Sequence, residues 1–565
     1  MVGETFRARG RCTGETSPAD ERHRVLRDVL LKVKTGASAA GTTLTVLGRA
    51  GVVRPHRPGA LVRTAKSLRE WGTGPAGGFT AAALLDPDRT AVVDEIGSLT
   101  YAELHRRSNA LARAFAGLGV REGDSVALMC RNHRGFIDAS IAASKLGADL
   151  IYLNTAFAGP QLVDVLEREK PALVVHDEEF GPLLEKAAVD RRVLAWTDAE
   201  TDAETDLPTI EELIAGERAE DLEPAGRHGR IIILTSGTTG TPKGAPRTEA
   251  GIDAAVSLLS RMPLRYGWRT HIAAPLFHTW GYAHLALAML LGSTIVLHRR
   301  FDPENCLRLA QDERCDSLVV IPVMLQRMMA LPEDTLGKYD LSRVKVVASS
   351  GSALPGDLAA QWMDHFGENL YNIYGSTEVA YASIADPADL RADPSAAGKP
   401  PYATVVKILD EDGRELPAGE TGRIFVGNRL LFEGYTGGGH KEVVDGLMAT
   451  GDVGRYDEHG RLHVEGRDDE MIVSGGENVF PKEVEDCLQR HDAVVEVAAI
   501  GVEDPDFGMR LRAFVVTSRE VSEDELKDHV KENLARYKVP REIVFLDELP
   551  RNATGKVLKR ELDAG

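Results

Sequence analysis

The sequence predicts an α/β protein with a large N-terminal domain of largely parallel sheets flanked by helices, followed by a small C-terminal α+β domain. A chain of 565 residues is too long for one ordinary hydrophobic core, so at least two domains are expected. From about residue 80, helical and strand patterns alternate, as in DSVALMC followed by GFIDASIAASKLGADLIYLN. Short apolar runs without alternation, such as Ile231–Leu234, are typical of strands that are buried on both faces of a parallel sheet.

Composition excludes several classes of protein. With 43% hydrophobic and 27% charged residues, the chain has the composition of a soluble globular protein. The formal charge of −19 and a pI near 5.4 argue against a nucleic-acid binder. The five cysteines are scattered without a CxxC pair, which favours reduced thiols in the cytoplasm over disulfides or a metal–cysteine site.

The sequence contains no convincing membrane span. The longest apolar candidate, around Leu285–Leu297, contains Gly292, Ser293 and Thr294 and is shorter than the roughly 18 residues that a span needs. This apolar run is interpreted as part of the hydrophobic core. The N-terminus has no apolar segment followed by a small-residue cleavage site, so no secretory signal is predicted.

Residues 1–75 form a basic extension. Residues 1–70 carry 14 Lys and Arg against 6 Asp and Glu, in contrast with the acidic remainder. Apolar residues recur at helical spacing in the segment 25–33 and again in Leu61–Trp71. A basic amphipathic helix can lie on an anionic membrane surface. The alternatives are that these helices pack on the main body, or that the first 40 or so residues are a disordered arm.

Local patterns then place the elements in order. Leu99–Val120 presents one apolar helical face and ends at glycines, and Asp124–Cys130 is a buried strand. The acidic repeat TDAETDAETD, Thr197–Asp206, is interpreted as a solvated surface excursion.

The loop TSGTTGTPKG, residues 235–244, follows the predicted strand Ile231–Leu234 directly. Its glycines allow close backbone approach to a ligand, its hydroxyls donate hydrogen bonds, and Lys243 adds a cation. Such a loop suits phosphate oxygens. It does not match the Walker pattern GxxxxGK[ST], which argues against an ordinary P-loop kinase or GTPase.

Further candidates follow predicted strands. His278 lies just beyond an apolar run in PLFHTWG, and VKVVASSGSAL and YNIYGSTE both read as a strand followed by a small-residue loop. The ring of Tyr374 can stack on adenine, and Glu378 offers a carboxylate to Mg²⁺. Near the C-terminus, Lys556 stands next to Gly555, where a lysine is ordinarily a solvated charge.

The loop TSGTTGTPKG resembles, residue for residue, the phosphate-binding signature of the adenylate-forming enzymes: acyl-CoA synthetases, firefly-type luciferases and peptide-synthetase adenylation domains. The resemblance covers roughly residues 80–565, and the motifs occur in the family's order. It implies a large domain over residues 76–466, a hinge over 467–470 with Asp469 as pivot, and a mobile small domain over 471–565. Glu470 departs from the aspartate that is common at that position, a conservative change.

The resemblance also assigns roles to residues. It implies that ATP phosphates are bound by Thr235, Ser236, Gly237, Thr238, Thr239, Gly240 and Lys243. It implies that adenine lies against Gly351, Ser352, Ala353 and Tyr374, that Thr377 is close to the α-phosphate, that Mg²⁺ lies near Glu378 and Thr239, and that ribose is bound by Asp452 and Arg467. It implies that His278 positions the carboxylate, that Gly475 and Gly476 pass the pantetheine arm of coenzyme A, and that Lys556 is the catalytic lysine.

These assignments predict an ATP-dependent acyl-CoA synthetase that converts a carboxylic acid to acyl-AMP and then to its CoA thioester. A GRDDEMIVSGGENV block and an N-terminal extension also resemble those of actinobacterial fatty-acyl-CoA synthetases, which favours a medium- or long-chain fatty acid. The alternatives are a ligase that loads a carrier protein, adenylation of an aryl or amino acid, and a non-catalytic nucleotide sensor. No nucleic-acid partner is expected, whereas peripheral membrane contact and a homodimer stay open.

Overall fold

The computed structural model describes most of the chain after residue 39. The described residues are 40–53, 58–157, 159–187, 189–198, 206–234, 244–247, 252–432, 434, 440–470, 472–474, 477–504, 508–552 and 555–562. The segment 25–33, most of the acidic repeat, the phosphate-loop residues 235–243 and the glycines 475 and 476 lie outside them.

Helices and strands alternate along the large domain and continue into the small one. The helices are α1 (residues 40–49 in its described part), α2 (Pro58–Trp71), α3 (Pro75–Leu85), α4 (Tyr101–Gly117), α5 (Arg134–Lys145), α6 (Gly159–Glu169), α7 (Gly181–Leu184), α8 (Ile210–Ala215), α9 (Ile252–Arg261), α10 (Thr279–Leu290), α11 (Pro303–Asp312), α12 (Pro322–Met329), α13 (Glu333–Leu336), α14 (Gly356–Phe366), α15 (Pro387–Ala392), α16 (Pro481–Leu488), α17 (Glu523–Asn533) and α18 (Lys559–Leu562). The strands are β1 (Thr90–Asp94), β2 (Gly97–Thr100), β3 (Ser125–Met129), β4 (Asp149–Tyr152), β5 (Leu173–Asp177), β6 (Arg192–Trp196), β7 (Ile231–Leu234), β8 (Gly244–Arg247), β9 (Arg269–Ile272), β10 (Thr294–Val296), β11 (Ser317–Val320), β12 (Val346–Ser349), β13 (Leu370–Tyr374), β14 (Ser383–Ala385), β15 (Val405–Leu409), β16 (Gly422–Gly427), β17 (Val443–Val444), β18 (Leu447–Tyr456), β19 (Leu462–Arg467), β20 (Ile472–Ser474), β21 (Glu477–Val479), β22 (Val494–Asp504), β23 (Gly508–Thr517) and β24 (Glu542–Phe545).

Two sheets form the body of the large domain. Within the described residues, one has six strands in the order β6-β5-β3-β4-β7-β8, and the other has eight in the order β14-β13-β12-β11-β9-β10-β1-β2. Their inner strands pair in parallel, and antiparallel pairing is confined to edges such as β7 with β8. Strands β4, β5, β11 and β12 are buried along their whole length, as expected for sheets covered on both faces. The predicted α/β class is confirmed.

Helix α4 illustrates how sequence sets a boundary. Thr100 accepts a hydrogen bond from the Glu103 backbone N–H at 3.2 Å, and the Glu103 carboxylate accepts from the Thr100 N–H at 2.7 Å. This reciprocal capping box starts the helix at Tyr101. The helix ends at Gly117, and Gly119 then adopts a φ of +99°, a conformation that glycine allows. The predicted span is therefore correct to within two or three residues.

The described part of the N-terminal extension packs on the large domain. Val46, Leu47 and Ala50 are buried in its main hydrophobic core, and α2 packs against α3. The second predicted helix, Leu61–Trp71, thus lies within α2 and meets protein on one side, while Val62 is 69% exposed on the other. No helix in the described ranges is both long and apolar enough to cross a membrane. The run Leu285–Leu297 forms α10 and β10 and is mostly buried.

The remaining strands build an antiparallel sheet and the small domain. Strands β15, β16, β17, β18 and β19 form the antiparallel sheet, which leads into a 3₁₀ turn, Asp468–Glu470. In the small domain, β20–β24 form one sheet, and helix α16 buries Val484, Cys487 and Leu488 against it. These three positions are the apolar face that the sequence predicted.

Candidate active site

One cleft of about 2000 Å³ lies between the large and small domains. Its walls include the loops that follow β12 and β13, the β18–β19 pair, and the C-terminal segment around Lys556. Ligands of α/β proteins bind beyond the carboxyl ends of parallel strands, and both loops occupy such ends. Residues far apart in sequence therefore meet in a single cavity.

Asp452 is the centre of a bonded trio in this cleft. Strands β18 and β19 are in register at Asp452 and Arg467, so the two side chains meet, with Arg467 Nη1 donating to Asp452 Oδ1 at 3.3 Å. Tyr374 Oη donates to Asp452 Oδ2 at 2.5 Å. Burial raises the pKa of Asp452, and burial together with the charge of Asp452 raises the pKa of Tyr374 far above its ordinary value. Tyr374 is therefore a hydrogen-bond donor to this carboxylate.

The loops after β12 and β13 are held by their own backbone. Gly351 adopts a φ of +103°, and Ser350 Oγ donates to the Ile373 carbonyl at 2.8 Å, which links the loop after β12 to strand β13. At Gly375 an added Cβ would lie 2.3 Å from the Ala380 carbonyl oxygen, so this turn requires glycine. Ser352, Ala353, Thr377 and Glu378 line the cleft on these two loops.

The backbone of Glu378 is fixed from both sides. Its N–H donates to Ser376 Oγ at 3.2 Å, and its carbonyl accepts from the Phe432 N–H at 2.8 Å. A carboxylate on a fixed backbone at the edge of the cleft fits the oxygen ligands that Mg²⁺ prefers. The second predicted metal contact, Thr239, lies outside the described residues.

His278 precedes helix α10 and lines the same cleft. Its backbone N–H donates to the Pro275 carbonyl at 3.1 Å. Desolvation lowers the pKa of its imidazole to about 4, so the ring is neutral at physiological pH. A neutral imidazole can donate a hydrogen bond to a carboxylate without a full positive charge.

The depressed pKa of His278 predicts an acid-sensitive fold. His271, His278 and His284 all have a pKa near 4 in the folded protein against 6.5 for an ordinary imidazole. Between these pH values the unfolded chain binds more protons than the folded protein. The contribution of the three histidines to the free energy of unfolding is therefore fully present above pH 6.5 and is lost as the pH falls toward 4. We expect the melting temperature to fall over this range, and to fall less in His278→Gln. An equal fall in both proteins would contradict the assignment.

Lys556 reaches the cleft from the small domain. Gly555 has a φ of +78°, and an added Cβ there would lie 2.5 Å from Val323 Cγ1 of the large domain. The Lys556 N–H donates to Asn552 Oδ1 at 3.0 Å, which closes the turn. The exposed Lys556 side chain lines the cleft, and its positive charge acts to lower the pKa of Asp452. The predicted lysine and the predicted ribose carboxylate therefore share one cavity.

Contacts between the domains were not predicted from the sequence. Gln326 Nε2 donates to the Val495 carbonyl at 3.0 Å. Lys559, three residues after Lys556, forms ion pairs with Glu470 at 2.8 Å and with Glu485 at 3.0 Å. Burial opposes the charge of Lys559, but the two carboxylates outweigh it and raise its pKa. Lys559 thereby ties the segment that carries Lys556 to the 3₁₀ turn between the domains.

We expect Lys559→Ala to slow the acyl-AMP formation that the sequence predicts by about tenfold, or about 1.4 kcal/mol. The alanine frees the Lys556 segment and leaves Glu470 and Glu485 without their shared cation. Lys559→Arg should restore most of the rate because it keeps both ion pairs. The readout is kcat for acid-dependent pyrophosphate release; equal defects in the alanine and arginine variants would contradict the role.

An apolar arm of the cleft continues beyond His278. Its lining residues on α10 run from Thr279 to Leu290, which is about 16 Å of helix at 1.5 Å per residue. Helices α2, α3, α9 and α10 contribute no charged residue to its lining in the described part of the chain. Its apolar and small lining residues include Leu68, Gly78, Ala81, Ala82, Leu85, Ala255, Leu258, Tyr282, Ala283, Ala286, Leu287, Met289 and Leu290.

Some predicted residues cannot be placed. The structure does not describe Thr235, Ser236, Gly237, Thr238, Thr239, Gly240, Lys243, Gly475 and Gly476. The backbone of Asp469 lies in the 3₁₀ turn at the predicted hinge, and its neighbour Asp468 pairs with Arg423 of the antiparallel sheet at 3.2 Å. The remaining predicted residues, from His278 to Lys556, all line the one cleft.

Comparison with known proteins gives consistent matches. The AMP-binding enzyme family matches residues 79–436, and the AMP-binding enzyme C-terminal domain matches residues 483–556. A feruloyl-CoA synthase of Amycolatopsis sp is 34% identical over 85% of this chain and 96% of its own length. A fatty acid–[acyl-carrier-protein] ligase of Streptomyces coeruleorubidus is 29% identical over 84% of this chain and 93% of its own. The crystal structure of an anthranilate CoA ligase with anthranoyl-AMP superposes with a TM-score of 0.78 at 27% identity, covering 87% of this chain and 96% of that one.

Proposed function

This chain belongs to the AMP-binding enzyme family, and from that premise we propose that it activates a medium- or long-chain fatty acid with ATP and transfers the acyl group to coenzyme A. Adenylate-forming CoA ligase activity with ATP, Mg²⁺ and CoA is common to its acyl- and aryl-CoA ligase relatives. The observation that carries the choice of acid is the apolar arm beyond His278.

In the first step, a carboxylate oxygen attacks the α-phosphorus of ATP. A new oxygen–phosphorus bond forms, the bond to the β-phosphate oxygen breaks, and pyrophosphate leaves with the electron pair. We assign Lys556 to the negative charge shared by the carboxylate and the α-phosphate, and Thr377 to a hydrogen bond with that phosphate. Glu378 would hold Mg²⁺, which when bound neutralises phosphate charge.

Binding of the nucleotide is assigned to the trio around Asp452. A carboxylate accepts hydrogen bonds from both ribose hydroxyls, and Arg467 donates beside it. Gly351, Ser352 and Ala353 leave room for adenine to lie against backbone, with the ring of Tyr374 beside it. The phosphate-loop residues from Thr235 to Lys243 keep their sequence-based assignment to the outgoing phosphates.

In the second step, the thiol of coenzyme A attacks the acyl carbon and AMP leaves with the electrons of the broken anhydride bond, while the thiol proton passes to solvent. The first step needs Lys556 in the cleft, and the lining of the cleft by Lys556 supports this assignment. The second needs a path for pantetheine, which the sequence assigns to Gly475 and Gly476. A rotation of the small domain about Asp469 would exchange the two arrangements.

The test is acid-dependent pyrophosphate release across fatty acids of graded length, with ferulic, anthranilic and 2-succinylbenzoic acids in the same panel. We expect kcat/KM to rise with chain length, because each methylene buried in the arm adds about 0.8 kcal/mol. A preference for the aromatic acids would overturn the fatty-acid assignment and favour the second candidate, an aryl-CoA ligase, to which names such as feruloyl-CoA synthase point. If none of the acids in the panel supports pyrophosphate release, the non-catalytic nucleotide sensor becomes the favoured alternative.

The acyl acceptor needs a separate assay. One relative is a ligase for an acyl-carrier protein, so acyl-AMP formed by this chain should be offered to coenzyme A and to a phosphopantetheinylated carrier protein in parallel. Faster thioester formation on the carrier protein would contradict the choice of CoA.

A further inference from the structure

We propose that the chain upstream of residue 79 sets the length of aliphatic tail that the site accepts, because Val52 and helix α2 form the far end and one wall of the apolar arm. This inference rests on the proposed function, since the arm acts on specificity only if a substrate tail enters it. The family match begins at residue 79, so neither Val52 nor α2 belongs to the matched region.

Val52 is held in place by the core of the large domain. Just before it, Val46, Leu47 and Ala50 are each at most 9% exposed. The Tyr266 N–H donates to the Ala50 carbonyl at 2.7 Å, and the Val52 N–H donates to the Leu47 carbonyl at 2.9 Å. A side chain at position 52 therefore has little freedom to move away from the arm that it lines.

Tyr266 closes the arm beside Val52. Its hydroxyl donates to Asp86 Oδ2 at 2.5 Å, just after α3. Gly292, just after α10, has a φ of +50°, and an added Cβ there would lie 2.7 Å from Tyr266 Oη. Both Tyr266 and Gly292 line the cavity. The end wall is thus a fixed ring next to a residue of the extension.

Helix α2 supplies a side wall through Thr64 and Leu68. The turn that joins α2 to α3 is tight: an added Cβ at Gly77 would lie 1.8 Å from the Gly72 carbonyl oxygen. At the next residue of α3, an added Cβ at Gly78 would lie 3.0 Å from Met289 Sδ of α10. Because α3 is fixed against both neighbours, the space between α2 and α10 is defined by side-chain size.

This geometry makes the extension a determinant of substrate length. The lining from these helices carries no charge in the described residues, which matches a hydrocarbon tail and disfavours a polar one. A larger side chain at position 52 or 68 would occupy volume that the end of a long tail needs. Each methylene that can no longer be buried should lower kcat/KM roughly fourfold.

The experiment compares Leu68→Trp and Val52→Trp with wild type in pyrophosphate release from hexanoic to stearic acid. We expect both variants to lower kcat/KM for palmitic acid at least about tenfold more than for hexanoic acid. The matched control is Val62→Trp on the same helix, where the side chain is 69% exposed and the length profile should match that of wild type. If tryptophan unfolds the protein, Leu68→Ala enlarges the arm and should move the optimum toward longer acids.

The outcomes separate the two proposals. If wild type uses fatty acids and neither position 68 nor position 52 changes the ratio between palmitic and hexanoic acid, the inference is wrong and the proposed function stands. A change of the same size in Val62→Trp would also overturn it, because the effect would then not come from the arm. If wild type releases pyrophosphate with aromatic acids alone, both proposals fail, and wild type by itself reveals this.

Discussion

Lys556→Ala is expected to lower kcat for acid-dependent pyrophosphate release by about 10²–10³-fold, the loss typical of removing one group that stabilises transition-state charge. The exposed ammonium of Lys556 enters a cleft whose other walls carry Asp452 and Glu378. Its removal leaves the charge that develops at phosphorus without this cation, whereas ATP retains its other contacts. The measurement is pyrophosphate release at saturating ATP and acid.

The same variant should form acyl-CoA from supplied acyl-AMP at close to the wild-type rate. The second step breaks the bond between the acyl carbon and the phosphate oxygen, so no bond to phosphorus changes and the charge of Lys556 is not needed there. Lys531→Ala is a suitable control, since Lys531 is an exposed lysine of the small domain paired with Asp528. Equal losses in both half-reactions would show that Lys556 supports the fold of the domain and not adenylation.

Asp452→Asn is expected to raise KM for ATP by about tenfold or more, since hydrogen bonds to a charged group contribute about 1.5–3 kcal/mol each. The amide keeps one acceptor oxygen, loses the charge, and leaves Arg467 without its carboxylate. Tyr374→Phe is the matched comparison, because it removes the 2.5 Å hydrogen bond but keeps the carboxylate. It should raise KM less.

Binding of AMP by calorimetry provides the second readout for these variants. Asp452→Asn should weaken AMP binding by the same factor as it raises KM, because the ribose is common to both nucleotides. If Asp452→Asn folds stably and binds AMP with the wild-type affinity, Asp452 does not belong to the nucleotide site.

The pairing of Asp452 with Arg467 shows how far sequence reasoning reaches. Their separate assignment to ribose came from a family resemblance, whereas the local sequence indicates only a turn residue at Asp452 and a surface charge at Arg467, and neither strand was predicted. The register that sets them opposite each other explains why they act together. The bond from Tyr374 was missed because it joins positions 78 residues apart, and a tyrosine interpreted as a stacking ring gave no signal of its hydroxyl partner.

Contacts across the domain boundary were beyond sequence reasoning for a different reason. Lys559 and Glu470 are each ordinary charged residues in their local sequence, and their ion pair forms only when the folded small domain brings Lys559 back to the hinge turn. The substitution of glutamate for the common aspartate at position 470 was the one available signal. It was interpreted as conservative, although the longer side chain reaches Lys559.

The N-terminal extension was also predicted only in part: its second helix was predicted, but the surface against which that helix packs was not. Helical periodicity in Leu61–Trp71 correctly predicted a helix, within the observed Pro58–Trp71. Periodicity could not decide between a membrane surface and the protein body, because both accept an apolar face. The structure packs one side of α2 against α3, whereas the first predicted helix, in the segment 25–33, lies outside the described residues.

The position of Arg467 has a consequence for how the two steps are coupled. It is the last residue of β19, and the 3₁₀ turn Asp468–Glu470 begins at the next residue. In a rigid rotation, points near the axis hardly move while distant points sweep an arc. A swing about this turn would therefore leave Arg467 and Asp452 nearly stationary and carry Lys556 along with the body of the small domain. The adenosine end of the intermediate could stay anchored while the cation beside its reactive end departs.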